Sequence, residues 1–361
     1  MTIHVGLIGG GNISRTHAGA VTAIPGAKVV ATWGTNPDKV GSISREFGGK
    51  PYRDFDLFLA HRPMDMVIIG SPSGLHAQQG IACAGAGLHV LVEKPIDISV
   101  QRADSLIAAC QDANVKLGVI FQDRLKPGPR RLKELVTEGA LGRLFLADAR
   151  VKWYRPPAYY GDSRWRGTLA LDGGGALMNQ GIHTVDLLLW LVGDIANIRA
   201  RIETLFHDIE SEDTALAVLK FTNGAAGILE ATTAAYPGYA RRLELTGTEG
   251  TIALENDTIV SADFKSGLPG IVVGDGTSDA PNPAASSPVV ADFRAHQRVI
   301  EDFIQAVQQG TRPVCDGREG RRSVAVVESI YRASGPRNDD ENVRDSRERS
   351  LTPRHETLEA K

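Results

Sequence analysis

The sequence predicts an α/β protein: an N-terminal Rossmann-type, doubly wound parallel sheet followed by an α+β domain with a large, mostly antiparallel open sheet. Three observations carry this. Residues 3–8 are short, apolar and β-branched and run into Gly9-Gly10-Gly11 and then a helical pattern. Strands and helices then alternate as far as Phe121. Beyond it, strands follow strands.

In the first half, the helical spacing of Ile13, His17, Ala18 and Val21 follows the glycines, and the Pro25-Gly26 turn leads into an apolar run over 27–33. That is one βαβ unit. Strands are expected over 66–69, 89–92 and 117–121, with helices over 74–86 and 100–114 between them. In the second half, an amphipathic helix near 130–138 precedes strands around 144–153, 199–205, 214–221, 225–233 and 241–247, and a helix is expected over 182–191. The domain boundary is placed at Gln122, giving a dinucleotide-binding domain over 1–122 and a substrate-binding and oligomerisation domain over 123–333. Residues 269–287, rich in Gly, Pro, Ser and Asp, read as a long exposed loop. Helices are expected over 292–309 and 317–333. The polar, charged stretch 334–361 reads as a disordered tail.

At 361 residues the chain exceeds one ordinary core, and 42% hydrophobic with 23% charged residues is the mixture of a globular enzyme. A net charge of −3 gives no field that attracts phosphate backbones or anionic lipid, so neither nucleic acid nor a membrane is an expected partner. Cys83, Cys110 and Cys315 are scattered and odd in number, which suits a reducing cytoplasm rather than a disulfide framework. No apolar run reaches the ~20 residues needed to span a bilayer.

The run Gly9 to Ser14 nearly fits G-x-G-x-x-G between a strand and a helix. Gly9 allows the tight turn, Gly11 lets the backbone approach a pyrophosphate, and Asn12 and Ile13 open a helix whose free N–H groups attract the anion. Most NAD sites carry an acid at the end of the second strand; here Trp33-Gly34-Thr35-Asn36 stands there. Thr35 and Asn36 can hydrogen-bond either ribose form, so NAD and NADP both remain open.

Two further segments carry chemistry. Glu93-Lys94-Pro95 follows a strand at the carboxyl edge of the sheet, where ligands of open α/β folds bind. Residues 172–186 run from glycines into an apolar helix, and Asn179, His183 and Asp186 are spaced to project from one side. Ahead of them, Tyr154, Arg164 and Trp165 lie in a segment rich in aromatic and guanidinium groups, suited either to a sugar and its anionic groups or to a plain loop core. Gln122 and Arg124 at the domain junction are further polar candidates. His17, His76, His89 and His183 lie in no ligand-spaced pair, so no metal is expected.

With Gly9 to Ser14, residues 71–76 (Ser-Pro-Ser-Gly-Leu-His), residues 86–95 ending in Glu-Lys-Pro, and the 173–186 segment, the chain resembles the Gfo/Idh/MocA oxidoreductases over nearly all of residues 3–333. The resemblance implies that Lys94 hydrogen-bonds a reacting hydroxyl, that His183 is acid and base, that Lys94-Pro95 is cis, and that Ser71, Pro72, His76 and Glu93 line the cofactor beside Lys94. Many members have Asp four residues before the histidine, where this chain has Asn179, which cannot take a proton. His183 and Lys94 then share the proton work. The expected reaction is hydride transfer between NAD or NADP and a secondary alcohol of a sugar, glycoside or nucleotide sugar, in a homodimer or homotetramer. A redox-neutral NAD-dependent glycoside hydrolase and a non-catalytic nicotinamide sensor are the alternatives.

Overall fold

The computed structural model describes residues 2–267, 273–274 and 292–335. Its first sheet has six strands, all parallel, in the order β3-β2-β1-β4-β5-β6: β1 (Ile3–Ile8), β2 (Ala27–Trp33), β3 (Lys50–Tyr52), β4 (Met66–Ile69), β5 (His89–Glu93) and β6 (Leu117–Ile120). Four-residue runs such as Met66–Ile69 are wholly buried because helices cover both faces. Those helices are α1 (Asn12–Thr22), α2 (Pro37–Phe47), α3 (Phe55–Leu59), α4 (His76–Gly85) and α5 (Val100–Asp112). The chain order reverses between β1 and β4, which opens the crevice where such sheets bind ligands.

The second sheet has seven strands in the order β13-β12-β11-β7-β10-β9-β8. They are β7 (Leu144–Lys152), β8 (Ile195–Glu203), β9 (Thr214–Phe221), β10 (Ala226–Thr232), β11 (Arg242–Gly247), β12 (Gly250–Glu255) and β13 (Thr258–Phe264). All pairings are antiparallel except β7 with β10. Helices α6 (Pro127–Thr137) and α8 (Ile182–Leu191) cover one face, and the short α7 (Pro157–Gly161) is tied to the end of β10 by Tyr160 and Thr233.

Both expected sheets are present, with differences in extent. The expected helix over 74–86 is a 3₁₀ turn, Ser73–Leu75, followed by α4. Strand β8 starts at Ile195, earlier than the expected 199. Strands β12 and β13 lengthen the sheet beyond the sequence reading and join through a turn whose Asn256 has φ +50°.

Helix α9 (Arg294–Gln309) packs on α1 and buries Val299, Ile300 and Phe303 in the same core as Val5, Leu7 and Ile68. The chain therefore returns to its first layer. Helix α10 (Gly317–Ala333), capped by Asp316, packs on α8, β8, α5 and β6 and so bridges the layers. A division at Gln122 separates the sheets but not their helices. The exposed loop expected over 269–287 lies outside the described residues except for 273–274, as does the expected tail after 335.

Candidate active site

The glycine turn fits a pyrophosphate. Gly9 has φ +123°, and a side chain there would meet Ser14 Oγ at 2.6 Å and Gly70 O at 2.7 Å. A Cβ on Gly11 would meet nothing within 4 Å, so the space above this backbone is open. Gly11 is the N-cap of α1 with no side-chain cap, which leaves the first N–H groups for an anion. Asn12 is exposed and Ile13 half-buried at this rim. Thr35 is exposed at the end of β2, but Asn36 Oδ1 caps α2, accepting from Asp38 N and Lys39 N, both at 3.1 Å. That oxygen is already committed, so Asn36 offers a ribose only its amide N–H groups.

Lys94 follows β5 at the carboxyl edge, and its bond to Pro95 is cis, as the resemblance implies. Its Nζ donates to the carbonyl of Asn179 at 2.7 Å, with Asn179 Oδ1 at 3.5 Å. Burial lowers the Lys94 pKa, against the opposing charges of Glu93 and Asp172. Two residues expected beside the cofactor instead hold this turn from inside. Glu93 is buried and accepts from His17 Nε2 at 2.8 Å and from the Lys94 backbone N–H at 3.1 Å. Burial opposes its ionisation, yet the His17 hydrogen bond and nearby positive charge lower its pKa to about 2. His76, also buried, lies between two carbonyls, Pro95 O at 2.8 Å and Ser71 O at 2.9 Å. It ties the β4 end to the β5 end. Ser71 donates to Gln79 Oε1 at 2.6 Å, and Pro72 is half-buried beside it.

The segment after the glycines is not one regular helix. Residues Ala176–Gly181 form a π-helical turn before α8, so Asn179 is out of the 3.6-residue period that His183 and Asp186 keep within α8. Asn179 Nδ2 donates to Asp172 Oδ1 at 2.6 Å, which aims its Oδ1 at Lys94 and at Gln180 Nε2, 3.3 Å away. His183 stands edge-on to Phe121, with ring centroids 5.8 Å apart. Burial and the Lys94 charge lower its pKa to about 3, so the ring is neutral at physiological pH and keeps a free lone pair. Asp186 points inward and pairs with Arg124, Oδ1 to Nη2 at 2.7 Å. Arg124 also reaches Glu319 at 3.0 Å and is 1% exposed, so it locks α8 and α10 to the domain junction instead of facing substrate.

Sequence reasoning gave no role to three residues that shape this turn. Asp172 is buried, its pKa raised to about 7 by burial against the hydrogen bonds from Gly167 and Asn179. Glu212 accepts from Gly175 N at 3.0 Å and Leu177 N at 2.7 Å, fixing the start of the π turn. Gln180 accepts from Arg155 Nη2 at 3.1 Å and donates to the Tyr159 hydroxyl at 2.9 Å. The Arg155 guanidinium lies over both Trp153 and Tyr159, so this part of the aromatic segment is a packed wall. Arg164 is exposed, Trp165 is half-buried under the Arg166 guanidinium, and Tyr154 packs against Tyr236 and Phe206. Gln122 is half-buried and its Oε1 has no hydrogen-bond partner.

The structure also gathers His17, Glu93 and His296, whose ligand-type atoms lie within 4.8 Å of one another, a set that sequence spacing hid. His17 already hydrogen-bonds Glu93, and the Nδ1 atoms of both histidines lack the outer partner that metal-bound imidazoles use. The set is an anchor for Glu93.

A family model described as an oxidoreductase family with an NAD-binding Rossmann fold, Gfo/Idh/MocA, matches residues 3–121, and the Gfo/Idh/MocA C-terminal domain matches 130–253. The chain belongs to the Gfo/Idh/MocA oxidoreductase family. Among its relatives is inositol 2-dehydrogenase of Rhizobium meliloti, 26% identical over 92% of this chain and 97% of that one. Levoglucosan dehydrogenase of Pseudarthrobacter phenanthrenivorans is 28% identical over 69% of this chain and 73% of the relative. Among solved structures, the WlbA dehydrogenase from Bordetella pertussis, in complex with NADH and UDP-GlcNAcA, superposes with a TM-score of 0.83. It is 32% identical and covers 92% of this chain and 95% of its own. As a Gfo/Idh/MocA protein the chain is an oxidoreductase with an NAD-binding domain, and its named relatives act as sugar and inositol dehydrogenases.

Proposed function

We propose that this protein oxidises or reduces a secondary carbinol of a sugar, with NAD as the hydride carrier and an anionic or nucleotide-linked sugar as substrate. The observation that carries the reading is Lys94 at the carboxyl edge of the first sheet, its Nζ donating at 2.7 Å to the Asn179 carbonyl just ahead of the helix that presents His183. Bound nicotinamide would supply the hydride acceptor. Residues Gly9 and Gly11 to Ile13 would hold its pyrophosphate, and Thr35 its ribose, with Ser71 and Pro72 beside it.

Oxidising an alcohol removes its O–H proton as the carbon loses hydride, so a base must lie within hydrogen-bond reach. Neutral His183 takes that proton. Lys94 donates a hydrogen bond to the oxygen and stabilises developing alkoxide charge. Asn179 and Asp172 hold Lys94 in place. Substrate contacts fall to Gln122, half-buried at the domain junction, and to Tyr154, Arg164 and Trp165. Exposed Arg164 favours an anionic group, and the likeness to a structure holding UDP-GlcNAcA supports a nucleotide-linked uronate.

The open face of the second sheet exposes Leu146, Leu216, Val218 and Ile228 on adjacent strands, an apolar band suited to a homodimer or homotetramer. Three buried free cysteines fit a cytoplasmic setting, and among the described residues no helix is long and apolar enough to cross a membrane. The test is nicotinamide absorbance with NAD⁺ and NADP⁺ in parallel against UDP-GlcNAcA, other nucleotide sugars, inositols, levoglucosan and simple glycosides. Sustained reduction of NAD⁺ with a nucleotide-linked uronate is expected. Aglycone release from a glycoside without net reduction, or activity on free inositol alone, would contradict the reading.

A further inference from the structure

Neither ring nitrogen of His183 has a hydrogen-bond partner among the described residues, and Nδ1 is buried. The ring is edge-on to Phe121, its plane turned 88° from the phenyl ring. Asp123 Oδ2 lies 3.8 Å from Nδ1.

Asp123 belongs to the 3₁₀ turn Gln122–Leu125 just after β6, so it comes from the sheet that carries Lys94, while His183 comes from the other domain. Its carboxylate is 4% exposed, paired with Arg241 and, at 2.7 Å, with Lys126. Burial opposes its charge, but these two cations keep the carboxyl well below its usual range, so an acceptor-only group faces Nδ1. The other charges acting on the ring are Lys94, Arg241 and Glu93.

A neutral imidazole carries one proton, and the nitrogen that holds it is set by what the other partner accepts. At position 179, where the resemblance puts an aspartate near the histidine, this chain has an asparagine wired to Asp172 and Lys94. Resting on the reading of His183 as the base, we propose that Asp123 is its positioning residue, holding the proton on Nδ1 so that Nε2 presents its lone pair to the carbinol. A hydrogen bond of about 2.9 Å requires the pair to approach by about 0.9 Å. Such contacts tighten when a site fills with substrate.

The test uses the full chain with ¹⁵N-labelled histidine and bound NAD⁺, recorded by two-bond ¹⁵N–¹H correlation at pH 7.5, with His183→Gln assigning the ring. The expected signature is a protonated Nδ1 and a bare Nε2. The Nε2–H tautomer would overturn the proposal, and because the parent protein is measured, no variant has to fold for that result to count. Asp123→Asn is then expected to lower kcat about 10- to 100-fold, a part of the ~10²- to 10⁴-fold that a positioned base contributes, with KM and NAD affinity nearly unchanged and the tautomer mixed or reversed. Unchanged kcat with an unchanged tautomer would also overturn it. If His183→Gln keeps full turnover, the catalytic reading of His183 fails, while the tautomer spectrum still reports on Asp123.

Discussion

The two halves of the candidate site are built by different means. At the glycine turn the ligand surface is backbone: Gly9 in a left-handed conformation, open space above Gly11, and an uncapped helix start. Around Lys94 the surface is side chains drawn from distant segments, with Asp172, Asn179 and Gln180 wired into one network and Glu212 fixing the turn beneath it. The first kind of site is fixed by a contiguous motif. The second depends on partners the chain meets only when folded.

The largest effect expected from this contrast lies in the side-chain half. Lys94→Ala and His183→Ala should each lower kcat about 10²- to 10⁴-fold while NADH affinity, measured by fluorescence titration, stays within a few-fold. Loss of cofactor affinity in step with turnover would erase the distinction between the halves.

Next comes Arg124, which the sequence reading gave to substrate and the structure gives to Asp186 and Glu319. Arg124→Met leaves Asp186 buried without its partner and should cost about 3 to 5 kcal/mol in urea unfolding. A raised KM at unchanged stability would return Arg124 to the substrate.

The backbone half gives a smaller and cleaner test. Gly11→Ala meets no protein atom within 4 Å, so unfolding should shift by no more than about 0.5 kcal/mol, while NADH binding weakens as the methyl enters the pyrophosphate space. Equal losses of stability and affinity would mean that Gly11 is there for folding.

The smallest effect concerns pH. The folded pKa of His183 falls to about 3 and that of His296 to about 4, both below the ordinary 6.5, whereas that of Asp172 rises to about 7. Between pH 6.5 and 4.5 the unfolded chain binds protons on the two histidines and the folded chain binds one on Asp172, so these three groups make stability fall as pH falls. Melting temperature should decline across that window, less steeply in His296→Phe. An equal slope in the variant would contradict the assignment.

The same contrast sets what was legible. The Rossmann half was readable because strand, glycines and helix are contiguous, and Lys94 because it ends a buried strand. Helix α2 went unread although Asn36-Pro37 is a cap followed by a first-turn proline, and Asn256-Asp257 marks the unread hairpin of β12 and β13. Those signals were present. Others had no local trace: Arg124 and Asp186 are 62 residues apart, and Glu212 holds backbone 35 and 37 residues away. The π turn at 176–181 breaks the 3.6-residue period that placed Asn179 beside His183.

The most direct test of hydride transfer is isotopic. A sugar from the panel that reduces NAD⁺, deuterated at its carbinol carbons, is turned over once by the parent enzyme, and the reduced cofactor is weighed by mass spectrometry. One deuterium in the reduced nicotinamide is expected, since the hydride leaves carbon without meeting water. Reduced cofactor free of label, with deuterium lost to solvent, would contradict the account.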